Sequence, residues 1–450
     1  MSAVAVCADV GSTYTKVAVV DLAGAVVLAR AEHRTTIDTD VLRGLDAAIA
    51  EAVPDGAEVA TVQVCSSAGG GLRLAVVGYE PLVTAEAGRR VGLSAGARVV
   101  HVGAGPLDRA GVAGLRAARP DVVLLVGGTD GGDADVLRHN AGSLAAARIR
   151  LPVVVAGNID ARDEVVATLT GGGVPAVSTA NVLPRIGELS PGPARAAIRE
   201  VFLRHVIGGR GLSRGRRFAS LVRAPTPDAV LTAVELLAAR ADIDLVVVDV
   251  GGATTDVYSA VRPDGPGADV AGTLWCARTV EGDLGVRAGA LGIVEAAAAE
   301  RLLAPDERDA LTAAARSRAD DPAYLPTTAH ERATEMRLGR LAATVALRRH
   351  ARAAPPDVAG RDLSRVSLLV GSGGVFRYAN NAGTSLAEVL TDHAGGWPLP
   401  RSAAVVVDAR YVLAPAGLLA AEHEDVAFGL LRRLVSASAA LAPGLGGGQD

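Results

Sequence analysis

Lysine is almost missing from this chain of 450 residues: Lys16 is the only one, and every other basic side chain among the 45 is arginine. Cysteine is scarce as well. Cys7, Cys65 and Cys276 stand far apart, cannot all pair and show no metal-ligand spacing, which argues against a disulfide framework or a zinc site and suits a reducing, cytoplasmic setting. No uncharged apolar run is long enough to span a membrane. The opening run meets Asp9 at once and lacks a basic leader, so it reads as a strand, not a signal peptide. A formal net charge of -4 gives no footprint for nucleic acid, and the arginine run at 210–217 reads as a solvated loop or helix face. With aromatics at 3% and hydrophobic residues at 50%, the core must be built from Ala, Val and Leu.

What is present is glycine, placed after hydrophobic strands. The length suggests roughly three domain-sized units. The chain opens with a strand to Asp9, a polar turn, a strand from Lys16 to Val20 and a third from Val26; residues 40–52 read as a helix, followed by a strand. From residue 98 strands alternate with helices to about 180, which predicts crossovers and a mostly parallel sheet. A helical stretch at 227–241 leads into DIDLVVVDVGGATTDVYSA, which resembles the opening hairpin and suggests two related lobes. Residues 287–355 read as helical with an exposed loop at RADDPAYLPTT, and 365–381 as a strand, a glycine-rich turn and a helix. A last strand and helix precede a frayed GLGGGQD tail.

Three loops carry chemistry. In the first, Gly11 permits a close turn whose backbone N–H groups, with the hydroxyls of Ser12 and Thr13, can surround phosphate oxygens, while Lys16 adds a point positive charge. Asp9 would hold hydrated Mg2+, a metal that prefers oxygen ligands and keeps several waters. In the second, Gly251, Gly252, Thr254 and Thr255 repeat the phosphate cradle between two carboxylates. Asp249 is the candidate base and second metal contact, and Asp256 the group that positions metal-bound water. In the third, Gly371, Ser372, Gly373 and Gly374 leave room for a purine or ribose. One such turn alone is an ordinary hairpin or strand-to-helix corner; three in this order are a pattern.

The loops resemble, in order, the first phosphate, second phosphate and adenosine motifs of the actin, heat-shock-chaperone and sugar-kinase superfamily. The resemblance implies an α/β, two-lobed actin-like ATPase fold with ribonuclease-H-like lobes and ATP held between them. The expected division is a first lobe at 1–240 with an alternating strand–helix insert at about 65–180, a second at 241–400, and a return to the first at 401–450. Three further segments, CSSAGGGLRLAVVGYEPLVTAEAGRRVGLSAGA at 65–97, LLVGGTDGGD at 124–133 and NVLPRIGELS at 181–190, resemble the glutamate mutase accessory protein family, also called MutL-type. That resemblance implies an ATPase that reactivates or chaperones an adenosylcobalamin-dependent carbon-skeleton mutase. None of the eight histidines stands in a DxHxxG cobalamin-ligand pattern, so the corrinoid is expected on the partner. Asp130 and Asp133 read as turn residues. The competing readings are a small-molecule kinase, for which no acceptor signature is present, and a nucleotide-dependent scaffold.

Overall fold

A computed structural model of the protein describes residues 3–68, 72–207, 212–262, 275–304, 306–321, 323–352, 361–392 and 394–439. The glycines of CSSAGGG and the GLGGGQD tail lie outside them. The chain divides into two compact units, the first built mainly on Met1–Leu231 with Gly417–His423, the second on Thr232–Arg262, Arg278–Ala416 and the helix Glu424–Ala439.

In the first unit, strands β1 (Ala3–Val10), β2 (Tyr14–Asp21) and β3 (Val26–Arg34) form an antiparallel meander. The helix Val41–Ala52 follows, because Val41, Leu45, Ala48 and Ala52 line one buried face and the Asp40 carboxylate accepts the Leu42 N–H at 3.0 Å. Strand β4 (Glu58–Ser66) then runs parallel to β1.

The chain next leaves for a second sheet made of β5 (Arg73–Gly78), β6 (Arg98–Ala104), β7 (Val122–Leu125), β8 (Val153–Val155) and β9 (Ala176–Ser178). Its strands pair in parallel, in the order β6-β5-β7-β8-β9. Alternate residues serve two different cores. Leu74, Val76, Leu124 and Val154 pack with the first sheet's apolar cluster, whereas Ala75, Val77, Leu125 and Val155 join a separate one with Leu115, Leu137 and Leu169. Burial on both faces is why these strands are continuous runs of Val and Leu. Strand β10 (Val222–Pro225) then pairs parallel with β4 and completes the first sheet in the order β10-β4-β1-β2-β3.

The second unit contains β11 (Leu245–Val250), β12 (Thr255–Ala260), β13 (Cys276–Glu281), β14 (Leu368–Ser372) and β15 (Ala404–Val407), in the order β13-β12-β11-β14-β15. Counted from β1 and from β11, the two orders are the same: three consecutive strands on one side, two later parallel strands on the other. The protein is therefore an α/β chain with two ribonuclease-H-like sheets of the actin-like ATPase kind and an alternating strand–helix sheet inserted into the first unit.

Some elements differ from the sequence reading. Strand β2 begins at Tyr14, and the segment 73–94 holds strand β5 and the helix Thr84–Ser94, neither of which the sequence reading placed. The loop expected at 318–328 starts later, since the helix Arg308–Asp320 includes Arg318, whose side chain is 2% exposed and bonded to Glu335. Of residues 401–450, β15 lies in the second sheet and Gly417–His423 belongs with the first unit. Among the described residues no helix is long and apolar enough to cross a membrane.

Candidate nucleotide-binding loops

The first candidate loop is the β1–β2 turn. Gly11 N–H donates to the Tyr14 carbonyl at 3.0 Å, closing a four-residue turn that leaves Ser12 and Thr13 exposed at its tip. The turn is braced from the end of β3: Thr35 N–H donates to Thr13 O at 2.9 Å and its hydroxyl to Gly11 O at 2.8 Å, while the buried Thr15 hydroxyl meets Thr35 Oγ1 at 3.0 Å. Asp9 stands directly opposite Lys16 across the hairpin, and Lys16 opposite Glu32 of β3, so the three side chains share one face of the sheet. Asp9 is 6% exposed, accepts the Thr226 hydroxyl at 2.5 Å and lies 3.7 Å from the Cys65 thiol. Burial first, and the Asp9 charge second, push the Cys65 thiol well above its ordinary pKa, so Cys65 is a neutral neighbour of the carboxylate.

The β11–β12 turn has the same construction. Gly251 N–H donates to Thr254 O at 2.9 Å, and Asp249 stands opposite Asp256 as Asp9 does opposite Lys16. Here too a buried threonine follows the turn, with the Thr255 hydroxyl donating to Leu284 O. The brace is different: Val286 N–H donates to Gly251 O at 3.0 Å and Arg287 N–H to Gly252 O at 2.7 Å. The Arg287 guanidinium is fixed on Glu335 at 2.6 Å, and Glu335 also takes Arg318 at 2.6 Å.

Asp256 is held on both oxygens. Arg278 Nε donates to Oδ1 at 2.8 Å and Thr254 Oγ1 to Oδ2 at 3.2 Å. Arg278 is 6% exposed; burial opposes its charge, but Asp256 more than offsets this and its pKa is raised. The Tyr258 hydroxyl is pushed well above the usual phenol range by burial, then by Asp256.

The third loop joins the second within one sheet. Strand β14 pairs parallel with β11, which sets Ser372 beside Asp249 and gives the row Ser372, Asp249, Asp256 on one face. Gly373 takes φ 101°, and a Cβ there would stand 2.1 Å from the Val250 carbonyl oxygen, so only glycine lets β14 turn so close to β11. Gly371 is buried against Leu386 and Phe376, whereas Gly374 has open space around it at the start of the helix Gly374–Arg377.

Sequence reasoning missed Thr226, Arg278, Arg287 and Thr35, which hold the loops from outside their motifs. No local spacing marks them, because each reaches its partner through tertiary contact. Asp130 ties its loop to two others, its carboxylate accepting from Asn181 at 2.8 Å and from the Ile159 N–H at 3.1 Å, whereas Asp133 acts within its own loop and accepts the Asp135 N–H at 2.7 Å.

With this geometry in hand, comparison with known proteins gives two kinds of result. Among solved structures, the nucleotide-free acetone carboxylase covers 93% of this chain and 70% of its own at 16% identity and a TM-score of 0.40. The component A of (R)-2-hydroxyglutaryl-CoA dehydratase from Acidaminococcus fermentans covers 95% and 100% at 9% identity and a TM-score of 0.31. In sequence the likeness is much nearer. Protein MutL of Clostridium tetanomorphum is 36% identical over 94% of this chain and 97% of its own, and the model of the MutL protein family matches residues 5–435. The chain belongs to the MutL protein family.

Proposed function

We propose that this protein binds and hydrolyses ATP and serves as a cytoplasmic accessory, reactivating protein for an adenosylcobalamin-dependent carbon-skeleton mutase of the glutamate mutase kind. The observation that carries the reading is the repeated hairpin: two turns of the same register and the same closing hydrogen bond, each with an aspartate on the strand that enters it. Family membership and the motifs shared with glutamate mutase accessory proteins support the accessory role. The free, buried cysteines suit a reducing compartment. The lobe bounds at 1–240 and 241–400 belong to the same reading.

In this reading Gly11, Ser12, Thr13 and Lys16, with Gly251, Gly252, Thr254 and Thr255, contact the phosphates. Gly371, Ser372, Gly373 and Gly374 face the adenosine. Asp249 orients and deprotonates the attacking water, and Asp256, held rigid by Arg278, fixes the geometry around it. Among the described residues no group of three or more His, Cys, Asp or Glu could hold a metal. Mg2+ needs only one or two carboxylates and takes its remaining ligands from phosphate and water. Asp9 and Asp249 are the carboxylates that would hold it, and when bound it neutralises charge on the transferring phosphoryl group.

The test is magnesium-dependent phosphate release from ATP by the purified protein alone, with small acceptors, and with an oxygen-inactivated mutase. Stimulation by the inactive mutase together with recovered mutase activity is the expected result. Stoichiometric phosphorylation of a small acceptor would make the protein a kinase instead.

A further inference from the structure

The carboxyl edge of the inserted sheet collects two of the three family-resembling segments, and the nucleotide loops use neither. Strand β7 ends in the loop GGTDGGD, and β9 runs on into NVLPRIGELS. The two are bolted together: Asn181 Nδ2 donates to Gly128 O at 2.9 Å and to the Asp130 carboxylate at 2.8 Å, and Asp130 N–H donates to Pro184 O at 3.0 Å. The loop after β8 joins them, with Ile159 N–H on Asp130 at 3.1 Å and Gly131 N–H on Asp160 at 2.9 Å. The polar groups of these loops are thus turned on one another.

What the rigid edge presents outward is apolar. Residues 185–188 form a turn closed by Glu188 N–H on Arg185 O at 3.0 Å, with Gly187 at φ 84°, the positive φ that a type II turn needs at its third place. Ile186 sits at the tip of that turn and is 83% exposed, the highest value among the large hydrophobic side chains described as exposed. Ile159 stands out from the β8 loop at 41%, and Leu82 and Val83 from the β5 loop at 56% and 42%. The rim is net acidic: Asp130, Asp133, Asp160 and Glu188 are all exposed, against one exposed cation, Arg185, which is paired to Glu188 at 3.3 Å.

We propose that this crest is the surface on which the protein docks its protein partner, through an apolar patch on that partner rimmed by arginine and lysine. An ordered turn that holds an isoleucine in water is an exposed apolar feature of the kind found at interaction sites, and the acidic rim selects partners of opposite charge. The negative rim also disfavours a nucleic acid. The proposal deepens the accessory reading and rests on it.

The experiment uses the full chain and an oxygen-inactivated glutamate mutase as the probe. Phosphate release is titrated with mutase for the wild type, Ile186→Asp, the pair Ile159→Asp with Ile186→Asp, and the charge reversal Asp133→Lys with Glu188→Lys. Ile186→Asp is expected to raise the half-saturating mutase concentration at least tenfold, the paired changes more, with basal hydrolysis and the thermal melt unchanged. Unchanged half-saturation in every variant overturns the crest proposal and leaves the accessory reading standing. Failure of the mutase to stimulate the wild type overturns that reading, and the partner named here with it. A sedimentation coefficient that falls in Ile186→Asp without any mutase present overturns the proposal by assigning the crest to self-association.

Discussion

Lys16 and Asp256 occupy the same place in two hairpins of identical register, each opposite an aspartate that leads into the turn. The two turns differ in charge at this place alone among their ionisable positions: a cation faces Asp9, an anion faces Asp249. In the proposed reading Lys16 adds a cation to the phosphate cradle of the first loop, and Asp256 positions water at the second.

Replacing Lys16 by Ala should therefore weaken ATP binding by about ten- to a hundredfold, the range of one charge-assisted hydrogen bond, while adenosine binding stays within about twofold. Calorimetric titration of both ligands measures it. Equal losses would remove Lys16 from the phosphate contacts.

Asp249→Ala should lower turnover by about a hundredfold or more and leave nucleotide affinity within about tenfold, because a base acts in the transition state and not in the ground-state complex. Single-turnover phosphate release beside equilibrium binding separates the two. Unchanged turnover would contradict the assignment of the base.

Arg278 answers the charge of Asp256 in a site where both side chains are largely buried. Arg278→Met leaves that carboxylate without its partner and should cost about 3–5 kcal/mol of stability in urea denaturation. Adding Asp256→Asn should restore more than half of the loss, since the stranded charge is then gone. A single variant as stable as the wild type would mean that water reaches Asp256 freely.

The third loop gives a paired test. Gly373→Ala places a Cβ on the Val250 carbonyl at a positive φ and should unfold the junction of β14 with β11, seen as a lower thermal midpoint. Gly374→Ala meets nothing within 4 Å, so the midpoint should hold while adenosine affinity falls. Loss of stability in both, or in neither, would contradict the packing described.

His350 supplies a pH dependence. Burial lowers its pKa to about 3, and its ring nitrogens meet the hydroxyls of Ser259 at 2.8 Å and Thr279 at 2.9 Å. The unfolded chain takes up a proton near pH 6.5 and the folded one does not, so the contribution is complete above about pH 6.5 and is lost as pH falls toward 3. The slope is about 1.4 kcal/mol per pH unit in that window. His350→Gln should flatten it in denaturation curves between pH 7.5 and 5. An unchanged slope would show that His350 is protonated in the folded chain.

The hairpins were legible because their signal is local: a hydrophobic strand, an aspartate, a glycine turn and a second strand all fall within a dozen or so residues. The alternation at 98–180 was legible for the same reason. Strand β5 was not, since its six residues follow a glycine run and carry no period that separates a buried strand from a buried helix segment. Strand β10, with four residues, exists only because β4 offers it an edge. Arg318 was read as loop because two acids and two prolines follow closely, yet its charge is satisfied by Glu335 from another helix. Thr226 bonds Asp9 across 217 positions of sequence, a distance at which pattern reading has no purchase.

The solitary lysine has a practical side. An endoprotease that cuts after lysine has one possible site, after residue 16, and that peptide bond lies within β2, paired to β1 on one side and β3 on the other. The bond is out of reach until the meander parts. One clean scission into a short and a long fragment would thus time the opening of a single sheet, with every other region of the chain silent to the enzyme.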